Sequence, residues 1–166
     1  MTIALPNADA LPSSGALNVA KDFSTLTGLE QLLATFAGKT GYNGMVQTMG
    51  FEPVGATEGE VTFEGAPTRA HFNPLGNVHG GYAATLLDTV MGCSVHSSLK
   101  AGEGFTTLEI KIAYHRPMSE TSGPLRATGK IISRGKRTSF AEGHVYDNQG
   151  RLCASGTTTC LIFPIA

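Results

Sequence analysis

The sequence has little net charge, no paired cysteines and no long apolar run. Its 12 basic and 13 acidic residues give a net charge of −1, so bulk electrostatics give no reason to expect a nucleic-acid or membrane-surface partner. The three cysteines are odd in number and form no CxxC pair, which favours a reducing compartment and buried thiols over a disulfide framework. Because neither a signal peptide nor a run of membrane-spanning length is apparent, we expect a soluble cytoplasmic protein.

The length and composition suit one folded domain. At 166 residues with 41% apolar content, the chain can bury enough surface for a single hydrophobic core. Residues 1–22 are rich in Ala, Pro, Ser and Asn without periodicity, so we expect a flexible N-terminal arm there. We therefore predict one domain over residues 23–166.

A short amphipathic helix is predicted directly after this arm. Apolar residues recur at helical spacing over residues 29–36. Ser24 or Thr27 can cap the start of this helix, and Gly38 can end it. The helix is interpreted as packing material.

Short strands are predicted on both sides of a long apolar segment. Before that segment, residues 60–65 and 68–72 have the character of strands, and after it residues 125–134, 137–147 and 151–163 do as well. Turn residues separate these later strands by short connections. The pattern predicts an α+β fold in which an antiparallel sheet packs against a helix.

The clearest alternation lies in the strand that follows the apolar segment and ends at Pro117. Strict alternation puts one set of side chains on one face: Leu108, Ile110, Ile112 and Tyr114. It puts a second set on the opposite face: Thr107, Glu109, Lys111 and Ala113.

Residues 73–88, NPLGNVHGGYAATLLD, join a turn to the start of the apolar segment. Gly80 and Gly81 allow a tight turn into a helix, whose first N–H groups have no intrahelical partner and can bind an anion or a polarised carbonyl. From Tyr82 to Val95 the segment is apolar nearly all round. Such a helix is expected to be enclosed on most sides.

Asp88 interrupts this apolar helix. It is the only formally charged residue between Arg69 and Lys100, and burial of an unpaired carboxylate costs free energy. The carboxylate either joins a structural hydrogen-bond network, for example with Thr85, or faces a cleft where it takes part in chemistry. The residue types leave both interpretations open.

The length of the helix bears on how Gly80 and Asp88 could cooperate. They are eight residues apart, which corresponds to about 12 Å along a helix at 1.5 Å per residue. Groups that act on one carbonyl lie about 3 Å from it. If both serve one reaction, the carboxylate must come from a second copy of the helix, and the working unit is a two-fold dimer.

Several of these residues resemble a known family in both order and spacing. The pattern comprises Asn73, Gly76, His79-Gly80-Gly81, Leu87-Asp88, Thr107 and YHRP at 114–117. Over residues 27–163 it resembles the PaaI-like acyl-CoA thioesterases of the hotdog fold. The resemblance implies a long central helix wrapped by a curved antiparallel sheet, and homodimers joined edge to edge that often pair into homotetramers. It also implies hydrolysis of acyl-CoA at the subunit interface, without a metal or other cofactor.

The resemblance further implies roles for individual residues. Asp88 takes the place of the catalytic carboxylate, either as nucleophile or as general base on water. Gly80 would donate its backbone N–H to the thioester oxygen, and Asn73 would orient the carbonyl or the attacking water. His79 matches the motif histidine near the thioester, with a mainly structural role as the alternative. Thr107 falls where related enzymes carry a Ser or Thr that orients the water.

A cluster of cations offers a place for the phosphates of CoA. Arg134, Lys136 and Arg137 lie within four residues at a predicted turn, and such side chains bind nucleotide phosphates. A solvated hairpin tip is the alternative interpretation of the same cluster.

Other function classes fit the sequence less well. The five histidines show no HxxxH spacing, which argues against a zinc site. The Y-x-D-x-N-x-x-H pattern of hydratases with the same fold is absent, and no helix-turn-helix for DNA binding is visible. A non-catalytic acyl-CoA binding or sensor protein of the same fold stays as the alternative to a thioesterase.

Overall fold

A long helix lies against one face of a six-stranded antiparallel sheet. The structure, a computed structural model, describes residues 23–38 and 44–165. The predicted N-terminal arm, residues 1–22, lies outside the described residues. No helix within these two ranges is long and apolar enough to cross a membrane.

The order of the elements confirms the predicted α+β architecture. The helices are α1 (Gly28–Phe36), α2 (Met45–Thr48) and α3 (Gly80–Ser97), and the strands are β1 (Phe51–Thr57), β2 (Glu60–Gly65), β3 (Glu103–Tyr114), β4 (Leu125–Arg134), β5 (Thr138–Tyr146) and β6 (Leu152–Pro164). The strand order in the sheet is β1-β2-β4-β5-β6-β3, and every neighbouring pair is antiparallel. Helix α3 packs mainly against β4, β5 and β2.

Helix α1 is the predicted short helix. Thr27 caps it through a capping box, in which its hydroxyl accepts from the N–H of Glu30 while the Glu30 carboxylate accepts from the N–H of Thr27. Leu32 is buried in the core, and the Gln31 Oε1 atom lies 2.8 Å from Nε2 of His96 in α3. Burial lowers the pKa of His96 to about 4, so the neutral ring keeps this contact between the two helices at neutral pH.

The strand predicted at residues 68–72 is wrong. A 3-10 turn, Arg69–His71, occupies most of this segment. The Thr68 N–H donates to Nδ1 of His71 at 3.0 Å, and local side-chain bonds of this kind compete with strand pairing. Only Phe72 forms a bridge, with Val78 across the loop that leads into α3.

A row of three glycines allows α3 to lie close to the sheet. Gly129, Gly143 and Gly156 are paired directly across β4, β5 and β6. A methyl group at position 129 would lie 2.2 Å from the carbonyl oxygen of Val90, and one at position 143 would lie 2.9 Å from Cγ of Met91. The distance between the helix and the sheet therefore depends on having glycine, with no Cβ atom, at these three positions.

Among the described residues, strand β3 lies at the edge of the sheet and pairs with β6 alone. It carries large apolar side chains that the other described residues leave largely exposed: Leu108 is 56% exposed, Ile110 38% and Tyr114 53%. An exposed apolar edge strand presents unpaired backbone groups to another chain.

The glycine row makes a stability prediction. Gly129→Ala should lower the free energy of unfolding by about 3 kcal/mol, because the new methyl group overlaps backbone that cannot move aside cheaply. Gly92→Ala is the matched control within α3, since its methyl group would lie 3.5 Å from the Phe105 ring, an ordinary contact. The control should be neutral or stabilising by up to about 1 kcal/mol. Urea denaturation measures both, and equal stabilities of the two variants would contradict the account.

Candidate active site

The start of α3 presents a hydrogen-bond donor, the N–H of Gly80, that no described residue accepts from. His79 caps the helix, because its Nδ1 atom accepts from the N–H of Gly81 at 2.9 Å. The carbonyl of His79 accepts from the N–H of Tyr82, also at 2.9 Å. The N–H of Gly80 finds no acceptor in the described part of the chain. His79 therefore has a structural role as a cap, and the Gly80 N–H can serve a ligand.

The loop before α3 orients Asn73. The Oδ1 atom of Asn73 accepts from the N–H groups of Leu75 at 2.9 Å and Asn77 at 3.2 Å. The Phe72–Val78 bridge closes the loop at the entry to α3. With its oxygen engaged, Asn73 keeps an Nδ2 group that donates to no other residue in the ranges described. This amide can hydrogen-bond a substrate oxygen at the same end of the helix as Gly80.

Tyr114 contacts Gly80 from the edge strand. Its hydroxyl donates to the carbonyl oxygen of Gly80 at 2.9 Å. Sequence reasoning placed Tyr114 on the apolar face of β3 but did not include it in the site. The sequence held part of the information needed to find this contact. A tyrosine has an apolar ring that can pack in the core and a hydroxyl that usually finds a hydrogen-bond partner.

Asp88 and Thr107 form the second group of site residues. The hydroxyl of Thr107 donates to Oδ1 of Asp88 at 3.1 Å. Leu87 and Met91 are fully buried beside Asp88, yet Asp88 itself is exposed in the single chain. In one chain the carboxylate is therefore not buried in a structural network, because this side of α3 faces the edge strand β3.

A β-bulge brings Thr107 to this position. The register between β3 and β6 shifts between Thr107 and Glu109, so an extra residue, Leu108, enters β3. Thr107 then pairs with the buried Cys160 and points to the helix side of the sheet, as Tyr114 does. The expectation from strict alternation, with Thr107 on the opposite face, is wrong because bulges re-aim side chains.

Two cysteine thiols lie within electrostatic reach of Asp88. Burial, and after it the Asp88 carboxylate, raise the pKa of Cys93 to about 12. Burial also raises the pKa of Cys160, against opposing hydrogen bonds from Thr158 and Thr107. Both thiols therefore stay protonated at neutral pH, so neither supplies a nucleophilic thiolate. Cys153 and Cys160 are buried as expected, while Cys93 is partly exposed.

The two groups of residues do not meet within one chain. Asn73, His79, Gly80 and Tyr114 surround the start of α3. Asp88 follows Gly80 by eight residues on the same helix, which is about 12 Å.

The predicted phosphate-binding cations have different environments. Arg134 forms an ion pair with Glu103 at 2.5 Å and donates to Oγ of Ser98 at 3.2 Å, so it ties β4 to β3 and α3. Lys136 and Arg137 are exposed. They line a surface groove of about 290 Å³ together with Glu103 and residues 162–164.

A metal centre has no obvious place in the described part of the chain. Within residues 23–38 and 44–165, no group of three or more His, Cys, Asp or Glu side chains could hold a metal ion.

Comparison with known proteins gives this geometry a context. Residues 75–154 match the sequence profile of the thioesterase superfamily. Over 95 residues the chain is 30% identical to the proofreading thioesterase EntH of Cronobacter sakazakii, a match that covers 57% of this chain and 67% of that relative. The chain belongs to the thioesterase superfamily.

Solved structures agree with this assignment. A phenylacetic acid degradation-related protein from Ralstonia eutropha is similar with a TM-score of 0.71 and 26% identity, covering 77% of this chain and 96% of that one. A Streptococcus mutans protein bound to acetyl CoA is similar with a TM-score of 0.63 and 25% identity, covering 69% of this chain and 89% of that one.

Membership in the superfamily confirms two predictions. The resemblance to PaaI-like thioesterases of the hotdog fold is confirmed, and so is thioester hydrolysis as the class of reaction. A thioester is already activated, so a carboxylate and preorganised N–H donors can suffice for its hydrolysis without a Ser-His-Asp triad.

Proposed function

We propose that this thioesterase hydrolyses acyl-CoA at two equivalent sites, each shared by two copies of the chain. The observation that carries the proposal is the division of groups along α3. Gly80 and Asn73 have free donors at one end, and the exposed Asp88–Thr107 pair lies about two turns further on. A two-fold dimer can bring the first group of one chain to the second group of its partner.

The reaction then needs only these groups. The thioester oxygen accepts from the Gly80 N–H and from Nδ2 of Asn73, so both donors stabilise the charge of the tetrahedral intermediate. Asp88 takes a proton from a water that Thr107 helps to hold, and the water oxygen attacks the carbonyl carbon. The intermediate collapses, the carbon–sulfur bond breaks, and the thiolate of CoA takes up the proton. Direct attack by Asp88, followed by hydrolysis of the mixed anhydride, uses the same groups.

The edge strand supports this dimer. Thr107 contacts Asp88 and Tyr114 contacts Gly80. Thr107 pairs with Cys160 of β6, Lys111 with Thr157 and Tyr114 with Ala154. In this ladder, Thr107 and Tyr114 are therefore each three pairs away from Lys111, on opposite sides of it. Antiparallel pairing of two β3 strands about a two-fold axis at Lys111 puts Thr107 opposite the partner's Tyr114, and it covers the exposed side chains of this edge.

The groove beside Lys136 and Arg137 supports CoA as the carrier of the acyl group. It includes Ile162, which lies two residues beyond Cys160, the residue paired with Thr107. The distance along β6 is about 7 Å, which an extended pantetheine arm can bridge. The Streptococcus mutans relative bound to acetyl CoA adds support for this class of ligand.

The function itself is tested at Asp88. Asp88→Asn should lower kcat for a CoA ester at least about a hundredfold, because the general base or nucleophile is lost. Glu52→Gln, an exposed carboxylate on β1, is the control and should keep full activity. A thiol-release assay across a panel of acyl-CoA esters measures the rates. Saturable binding of these esters by the wild-type chain without thiol release would instead support a binding protein.

The phosphate contacts are tested by comparing two carriers. Lys136→Ala combined with Arg137→Ala should raise KM for an acyl-CoA by about tenfold, because charge-assisted bonds to phosphate are lost. The same variant should leave KM unchanged for the acyl-pantetheine ester, which has no phosphate. Arg126→Ala combined with Lys130→Ala, which removes exposed ion pairs with Glu64 and Glu60, controls for the loss of two positive charges. Equal changes for both carriers would contradict a phosphate-binding role.

The shared site is tested by crosslinking. Lys111→Cys should form a disulfide between subunits under mild oxidation, because residues opposite each other at the axis have Cα atoms about 5 Å apart. Ala113→Cys is the matched control on the same face, since its two copies would be about 14 Å apart. Non-reducing electrophoresis distinguishes the two. Crosslinking of the control but not of Lys111→Cys would contradict this register.

A further inference from the structure

Tyr114 lies against the residue that supplies the proposed oxyanion donor. Its hydroxyl donates to the Gly80 carbonyl at 2.9 Å, and its ring atoms lie 3.2–3.4 Å from the place of a Cβ atom at position 80. Tyr114 is 53% exposed at the end of β3, so this contact borders the surface that a ligand reaches.

Tyr114 restricts the space for a side chain at position 80. Gly80 is not one of the glycines with positive φ, so its backbone conformation is open to other residues. A Cβ atom at this position would lie 3.2 Å from Cζ and Oη of Tyr114, so the tyrosine would have to move outward by a few tenths of an ångström. Gly80 and Tyr114 therefore form a matched pair.

The geometry points to Tyr114 as a positioning residue for the Gly80 N–H, an inference that rests on the proposed function. The His79 cap holds the first turn of α3 at Gly81, and the Tyr114 hydroxyl holds it at the Gly80 carbonyl. With both hydrogen bonds in place, the N–H of Gly80 keeps a fixed direction, as an oxyanion donor requires. The phenol proton is used in the bond to Gly80, so Tyr114 acts through Gly80 and forms a wall beside the thioester.

The first test removes only the hydroxyl. Tyr114→Phe should lower kcat by about tenfold with KM unchanged, because loss of an interaction that matters in the transition state appears in kcat. Tyr146→Phe, a half-buried tyrosine stacked on His144, is the control and should match the wild type. The urea midpoint and the oligomeric state of both variants should stay at wild-type values.

The second test measures coupling within the matched pair. Gly80→Ala in the wild-type background should lower kcat more than about tenfold, because it displaces Tyr114. In a Tyr114→Ala background the same change should cost less than about twofold, since no ring is left to displace.

The outcomes separate this inference from the proposed function. Absence of turnover by the wild-type chain on every acyl-CoA would overturn both. Turnover that depends on Asp88 but is unchanged in Tyr114→Phe would overturn the role of Tyr114 alone. Effects of Gly80→Ala and Tyr114→Ala that simply multiply would overturn it as well.

Discussion

The geometry of the site depends on the close packing of α3 against a row of three glycines in the sheet. Gly129, Gly143 and Gly156 let the helix backbone approach β4, β5 and β6. This close approach fixes the height of α3 above the sheet, and that height lets side chains of the edge strand β3 reach two points of the helix. Larger residues in the row would lift the helix and separate Thr107 from Asp88 and Tyr114 from Gly80.

The same arrangement leaves β3 half covered. Helix α3 lies mainly over β4, β5 and β2. It therefore covers only part of the helix-facing side of β3, and the rest of that side is open to solvent. Thr107 and Tyr114 use the helix side, while Leu108 and Ile110 remain exposed. In the proposed dimer a second β3 fills this space, and the contacts that complete the sheet also complete the site.

Much of this could be predicted from residue patterns, and the failures have physical causes. The run from Asn73 to Asp88 predicted the loop, the helix start and the lone carboxylate, since glycine, cap and apolar periodicity are local signals. The helix-facing position of Thr107 could not be predicted, because a bulge depends on the pairing with β6 and leaves no local signal. Tyr114 and the Arg134–Glu103 ion pair likewise depend on contacts between elements distant in sequence. The strand predicted at 68–72 failed because side-chain bonds between Thr68 and His71 favour a turn.

The exposure of Asp88 explains how an apolar helix can carry a carboxylate without a large desolvation cost. The sequence left a buried structural network and a cleft as alternatives, and in one chain the carboxylate is exposed rather than buried in a network, with Thr107 as its hydrogen-bond partner and solvent water on its open side. A charge in water incurs little desolvation cost, so a single chain folds without burying it. In the proposed dimer the partner excludes that water, and electrostatic interactions with the thioester strengthen as the local dielectric falls. The free energy of pairing two β3 edges then offsets the desolvation of the carboxylate, which ties catalysis to assembly.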